Sequence, residues 1–285
     1  MSIPDSHGQT TAPTRSGPAG DRQNGWVSTP SDLVRAIAVA VLAVVQVASG
    51  PLTMLALGPS SNNAAISDAN TSPVTPAGYA FSIWGLIYLA CLAFAVYQLL
   101  PGQRGREVNR RSGWWLAAAF FCSAVWLPIF GTRTLWLAQV VIVALVFCLV
   151  MAVVNLSRCG PAAAWRERLL LRLPATLYLG WATLASAAGF GTTFRSLGMP
   201  ERAGWVTGVS VALIAAAAAV SLFVVTRETA TVGFVFTACW ALIGIVVATF
   251  ESPVRFAALA AFAVLIAVTV ARTVRSRQPT AVLFG

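Results

Sequence analysis

The sequence predicts an all-α integral membrane protein with about eight transmembrane helices. Three observations carry that prediction. Only 10% of its 285 residues are charged and 58% are hydrophobic, where a soluble domain carries about 25% charged residues. Eight apolar runs approach or exceed the roughly 20 residues that a helix needs to span a bilayer. The arginines between those runs alternate between crowded and sparse loops, which is the pattern that orientation in a membrane imposes.

Residues 1 to about 30 are rich in Gly, Ser, Thr, Pro and Asn and lack apolar periodicity. They read as a disordered cytoplasmic tail. The first apolar run begins late and is long enough to span, so a cleaved leader is not expected. The eight segments fall at roughly 33–57, 77–100, 113–130, 134–157, 169–190, 204–226, 230–250 and 254–274. Gly50 and Pro51 mark a kink or an early end in the first. The third is short and starts on Trp114 and Trp115. Only Gly131, Thr132 and Arg133 separate it from the fourth, which predicts a tight antiparallel hairpin. The stretch 58–75, between the first two segments, carries a single charge, Asp68. It reads as a lid over the bundle or as a solvated connector, and the connector is the simpler reading. Residues 276–285 form a short C-terminal tail.

All the positive charge is arginine. With the N-terminus cytoplasmic, the inner side collects Arg15, Arg22 and Arg35, then Arg104, Arg106, Arg110 and Arg111, then Arg158, Arg166, Arg168 and Arg172, and finally Arg227, Arg272, Arg275 and Arg277. The outer side keeps Arg133, Arg195, Arg202 and Arg255. Both termini inside satisfies the positive-inside rule, and an odd number of helices would spoil it. The net charge of +10 is therefore assigned to orientation, and no nucleic-acid partner is expected. Arginine without lysine, together with abundant alanine, associates the chain with a bacterial plasma membrane.

Catalytic chemistry has little to work with. The lone histidine, His7, lies in the tail, and no metal-ligand spacing, phosphate-binding glycine loop or Ser/His/Asp set occurs. No catalytic residue, metal or cofactor is expected. Cys91, Cys122, Cys148, Cys159 and Cys239 include no CxxC, and four of them lie within apolar runs, as small buried hydrophobes do. The acidic residues sit in the tail, in loops or at segment ends, so no membrane-depth carboxylate is available to couple an ion. Arg172, at an inner segment end, reads as snorkelling.

The ten tryptophans carry more information. Trp114, Trp115, Trp136, Trp165 and Trp205 lie at segment ends, where interfacial tryptophans concentrate. Trp84 lies about seven residues into its helix, about 10 Å deep. Trp126, Trp181 and Trp240 are also internal. Trp84 and Tyr88 share a helix face, and so do Pro174, Tyr178, Trp181 and Ala185. Such a set builds either an aromatic core or a ligand wall. Ala185 and Gly189 allow close helix approach.

These residues also carry a resemblance. Pro76-Ala-Gly-Tyr79-Ala-Phe81-Ser-Ile-Trp84-Gly-Leu-Ile-Tyr88 resembles the signature of the TspO/MBR family, the tryptophan-rich sensory or translocator proteins. Trp126-Leu-Pro-Ile-Phe130-Gly131 is similar to the end of that family's third helix, and Pro174 to Ser186 to its fifth. Trp240-Ala-Leu-Ile-Gly244-Ile245 looks like a segment of longer bacterial relatives with extra C-terminal helices. The resemblance implies a five-helix TspO-like membrane domain at 31–190, followed by three additional transmembrane helices within 191–275. It differs from the family pattern at Ser123 and Gly189, where the family has Asn, and at Val141, where it has an acid.

By this resemblance the protein binds a porphyrin or other hydrophobic small molecule toward the outer leaflet, among the first, second, third and fifth helices. Tyr79, Phe81, Trp84, Tyr88, Trp126, Tyr178 and Trp181 would line the pocket. Membrane lipid is a further expected partner, and a homodimer is compatible with the pattern. The alternative is a carrier for a small neutral or lipophilic solute, completed by the last three helices. A membrane enzyme would depend on Arg168 or Arg172 with Glu167, the one ionisable pair near an inner-face cleft.

Overall fold

A computed structural model describes residues 28–200 and 203–285. The expectations for the N-terminal tail through Val27, including His7, Trp26, Arg15 and Arg22, and for Arg202 lie outside the described residues. Among the described residues there is no strand, and eight long helices account for the architecture: α1 Pro30–Leu57, α2 Ile83–Leu99, α3 Glu107–Gly131, α4 Leu135–Arg158, α5 Leu173–Ser196, α6 Gly204–Arg227, α7 Thr231–Ala248 and α8 Ser252–Arg275. Each apolar run has become one helix. Two local features differ from the expectation. The first helix does not end early at Pro51, since α1 continues to Leu57. The third helix is not short, because the polar stretch from Glu107 extends it by more than a turn. The α3–α4 hairpin closes through Arg133 in a left-handed conformation, φ 64°.

Seven of the eight helical segments are long and apolar enough to cross a membrane, and α5 is absent from that set. The reason is its position. Sixteen of its 24 residues are buried, against four of 24 in α8. It packs against α2, α4, α6 and α7, so it is solvated by protein, and its threonines, glycines and alanines suit helix contact better than lipid contact. The α5–α7 crossing is especially close. A Cβ on Gly180 would lie 2.3 Å from the Phe234 carbonyl oxygen, and one on Gly233 would lie 2.6 Å from Thr176 Oγ1. Thr237 Oγ1 donates to the Leu177 carbonyl across the same contact at 2.9 Å. One continuous apolar core runs through all eight helices.

The two ends of the bundle differ in chemistry. At the end bearing residues 100–106 and 159–168, Asp32 pairs with Arg35 at 2.8 Å and Arg110 at 2.7 Å. Glu167 pairs with Arg106 at 2.5 Å and Arg172 at 2.9 Å. Arg172 also donates to the Gly160 carbonyl at 2.6 Å and to Thr229 Oγ1 at 3.3 Å. It is 1% exposed. The snorkelling expectation is thus corrected: Arg172 ties one turn of α5 to two loops from inside the protein. A five-residue π-helical turn, Arg168–Arg172, positions it.

At the opposite end, residues 58–75 fold down onto the bundle. Asn62 caps a short helix, Asn63–Ala69, by accepting from the Ala65 N–H at 2.9 Å. Ile66 and Val74 are buried. The connector reading is therefore replaced: apolar side chains hidden among the serines and asparagines make this segment a cover.

Candidate ligand site under the 58–75 cover

The lead-in to α2 is a 3₁₀ turn, Gly78–Ser82. It is clamped to α7 by two hydrogen bonds, from the Ala77 N–H to the Gly244 carbonyl at 3.0 Å and from Trp240 Nε1 to the Ala80 carbonyl at 3.0 Å. The next turn of helix then delivers Trp84 into the bundle. Its ring centroid lies 5.3 Å from Tyr88, 6.0 Å from Trp126, 5.7 Å from Tyr178 and 6.0 Å from Trp181, the last two edge-on. Edge-on and offset rings at these separations are the favourable arrangements for aromatic pairs. Phe81 meets Trp181 at 6.1 Å, Trp126 stacks on Phe130 at 4.8 Å, and Phe120 on Tyr178 at 6.4 Å.

Six of the seven residues proposed from the sequence are thus brought together. Tyr79 is not. It is 46% exposed and packs edge-on against Trp240, 5.5 Å away. The 3₁₀ turn aims it at α7, and no spacing argument made on an α-helix could have foreseen that. Trp240 itself serves packing, with its N–H fully used.

Two spaces meet at Trp84. A groove of about 420 Å³ lies between α1, α2 and the cover, lined by Val47, Gly50, Pro51, Met54, Asn62, Phe81, Trp84, Tyr88 and Leu127 among others. Its volume falls in the range of small-molecule sites. A narrow cleft of about 30 Å³ lies on the other side, lined by Trp84, Trp126, Phe130, Trp181, Ala185, Gly189, Thr192 and Ala241, with Ser67 and Thr75 of the cover and Pro76 just after it. Phe81 and Trp84 belong to both walls. Tyr178 is fully buried and lines neither space; it supports Trp84 from below.

Sequence reasoning missed two polar groups. Gln46, near the middle of α1 and fully buried, accepts from Tyr178 OH at 3.4 Å through Oε1, while its Nε2 has no partner. Gln139 of α4 reaches Ser186 at 3.2 Å. Its Oε1 would lie 2.5 Å from a Cβ on Gly189. Glycine at 189 thus leaves room for the Gln139 amide. The signal in both cases was a lone glutamine in an apolar run.

Among the described residues no group of His, Cys, Asp and Glu could hold a metal ion, and all five cysteines are free thiols. A cleft of about 200 Å³ at the arginine-rich end is lined by Arg106, Glu107, Cys159 and Glu167. Burial raises the Cys159 thiol above its ordinary range, which suits an inert cysteine.

Fold and site together define a multi-pass helical membrane protein with a buried aromatic cluster beneath a folded cover. The sequence profile of the TSPO-like protein family matches residues 33–271, all but the ends of the chain. The protein belongs to that family. The match runs through α6 and α7 into α8, so the last three helices are part of what the family profile recognises. Comparison with curated proteins and with solved structures finds no match.

Proposed function

We propose that the protein binds a hydrophobic or tetrapyrrole-like small molecule in the aromatic site and acts as a sensor or translocator of that molecule. The observation that carries the reading is the position of Trp84. It contacts four other rings and forms a wall of both the groove and the cleft. A structural aromatic core has no need of a ligand-sized groove against its central ring. The groove flanks Met54, which is 40% exposed, so a lipophilic molecule has a lateral route to it from the bilayer. Orientation follows the arginines: the arginine-rich end, with both termini, faces the cytoplasm of a bacterial cell, and the cover faces outward.

Of the roles of sensor and translocator, and against the alternative of a carrier for a small neutral solute, sensing is favoured over passage across the membrane. Tyr178 and Phe120 are buried and stacked beneath Trp84, which closes the bundle below both spaces. An enzymatic role at Glu167 is weaker still. Both of its carboxylate oxygens already accept from guanidinium groups, which commits it to holding Arg106 and Arg172 in place.

Quenching of tryptophan fluorescence by protoporphyrin dimethyl ester, a tetrapyrrole without the free carboxylates that an uncharged lining would leave unpaired, tests the reading. Saturable quenching is expected in the wild type and strong weakening in Trp84→Ala/Trp181→Ala. Unsaturable quenching, or equal quenching in both, contradicts it.

A further inference from the structure

We infer that the arginine-rich end of the bundle holds an anionic phospholipid, with the headgroup phosphate on Arg166 and an acyl chain laid over Leu169 and the end of α2. The site is separate from the aromatic cluster and stands whether or not that cluster takes a ligand. Three observations carry it.

The first is the state of Arg166. Its side chain is exposed, and among the described residues no acidic side chain lies within ion-pair distance of it. Its guanidinium is nonetheless held in place. It lies over the Trp165 ring, 5.8 Å from the centroid, which is the separation of a cation–π contact. A guanidinium placed in advance loses less freedom when it takes a phosphate, whose oxygens match its N–H donors.

The second observation is that the nearby carboxylates are committed. Glu167, the next residue, is buried, and its two oxygens accept from Arg106 and Arg172. Glu107 pairs with Arg111 at 2.6 Å. Arg106 also donates to Tyr97 OH at 3.3 Å, and the charge of Arg166 reaches that same hydroxyl. Positive charge is therefore in excess at this corner. An anionic headgroup gains from it. The ammonium of a zwitterionic phospholipid finds no uncommitted carboxylate there.

The third observation is the order of chemistry with depth. Trp165 is 64% exposed and Leu169 is 48% exposed. Four residues apart, they share a helix face, with the indole at the interface and the leucine one turn further into the bilayer. The end of α2 packs against the same π-helical turn and exposes Val96 and Leu100, also one turn apart. Guanidinium, indole and aliphatic surface thus follow each other in the order of phosphate, glycerol and acyl chain.

Lipid competition tests this. The full chain in a neutral detergent is offered phosphatidylglycerol, phosphatidylcholine and phosphatidylethanolamine with matched acyl chains, and the lipid retained is counted by native mass spectrometry. The wild type should prefer phosphatidylglycerol about fivefold or more, the worth of one arginine beside an anionic headgroup. Arg166→Gln should lose most of that preference. Arg133→Gln removes an exposed arginine at the opposite end and should leave the preference unchanged. Glycerol 3-phosphate, which has the phosphate without the chains, should not displace the lipid at equal concentration. Equal retention of the three lipids, an undiminished preference in Arg166→Gln, an equal loss in Arg133→Gln, or displacement by glycerol 3-phosphate would each overturn the inference. None of these outcomes bears on the aromatic site.

Discussion

Arg172 shows what a single residue contributes and why its role was hidden. In the sequence it stands at the edge of an apolar run, where a snorkelling arginine is the natural reading. Its burial depends on Glu167, five residues earlier, and on Gly160 and Thr229, which only the tertiary structure brings to it. Removing Arg172 leaves the buried Glu167 with Arg106 alone, and breaking a buried pair is strongly destabilising. Arg172→Met is therefore expected to destabilise the protein by about 3–5 kcal/mol, measured by denaturant unfolding in detergent. Arg111→Met removes a pair whose two side chains are 47% and 48% exposed, and should cost about 1 kcal/mol or less. The same contrast applies to the aromatic site. Trp84, Tyr88, Trp126, Tyr178 and Trp181 were legible because helical spacing and depth are both written in the sequence. Gln46 was not, since a neutral side chain in an apolar helix gives no sign of the tyrosine it will meet.

At the scale of the elements, hydropathy located every long helix, and its weakest signal marked the most central one. α5 lacks the hydropathy of a lipid-facing span because it touches protein on nearly all sides. Gly180 sits at its tightest contact, against the Phe234 backbone. Gly180→Leu cannot be accommodated without parting α5 from α7, since the nearest obstructing atom is the Phe234 backbone carbonyl oxygen. It is expected to lower the melting temperature by well over 5 °C, or to prevent accumulation of folded protein. Gly85, with nothing within 4 Å of a Cβ, is the control. Gly85→Ala should stabilise α2 slightly, by about 0.5–1 kcal/mol. The cover over the site was half legible. Its polar composition suggested a solvated loop, and the few residues that fold it down, Ile66 and Val74 above all, are too sparse to register as a pattern.

At the scale of the whole molecule, the proposed orientation, with both termini on the cytoplasmic face, rests on an even number of helices and one-sided arginines. A C-terminal green fluorescent protein fusion should be bright and a C-terminal alkaline phosphatase fusion inactive. The reverse result would invert the molecule and place the cover on the cytoplasmic side. The family match across 33–271 and the tight seam between α5 and α7 make the last three helices part of one body with the site. α7 holds the lead-in that presents Trp84, and Ala241 lines the cleft. How a ligand reaches that cleft is a property of the assembled bundle, since its walls come from the cover and from four helices.

The central claim is that the space around Trp84 receives a ligand. Photolabelling tests it most directly: benzophenone is activated by light on the wild-type protein in nanodiscs, and the labelled peptides are identified by mass spectrometry. The account predicts saturable labelling concentrated in residues 47–54, 61–64, 81–88 and 181–192, abolished by excess unlabelled competitor. Labelling spread along the lipid-facing surface of α8, rising linearly with concentration and indifferent to competitor, would contradict it.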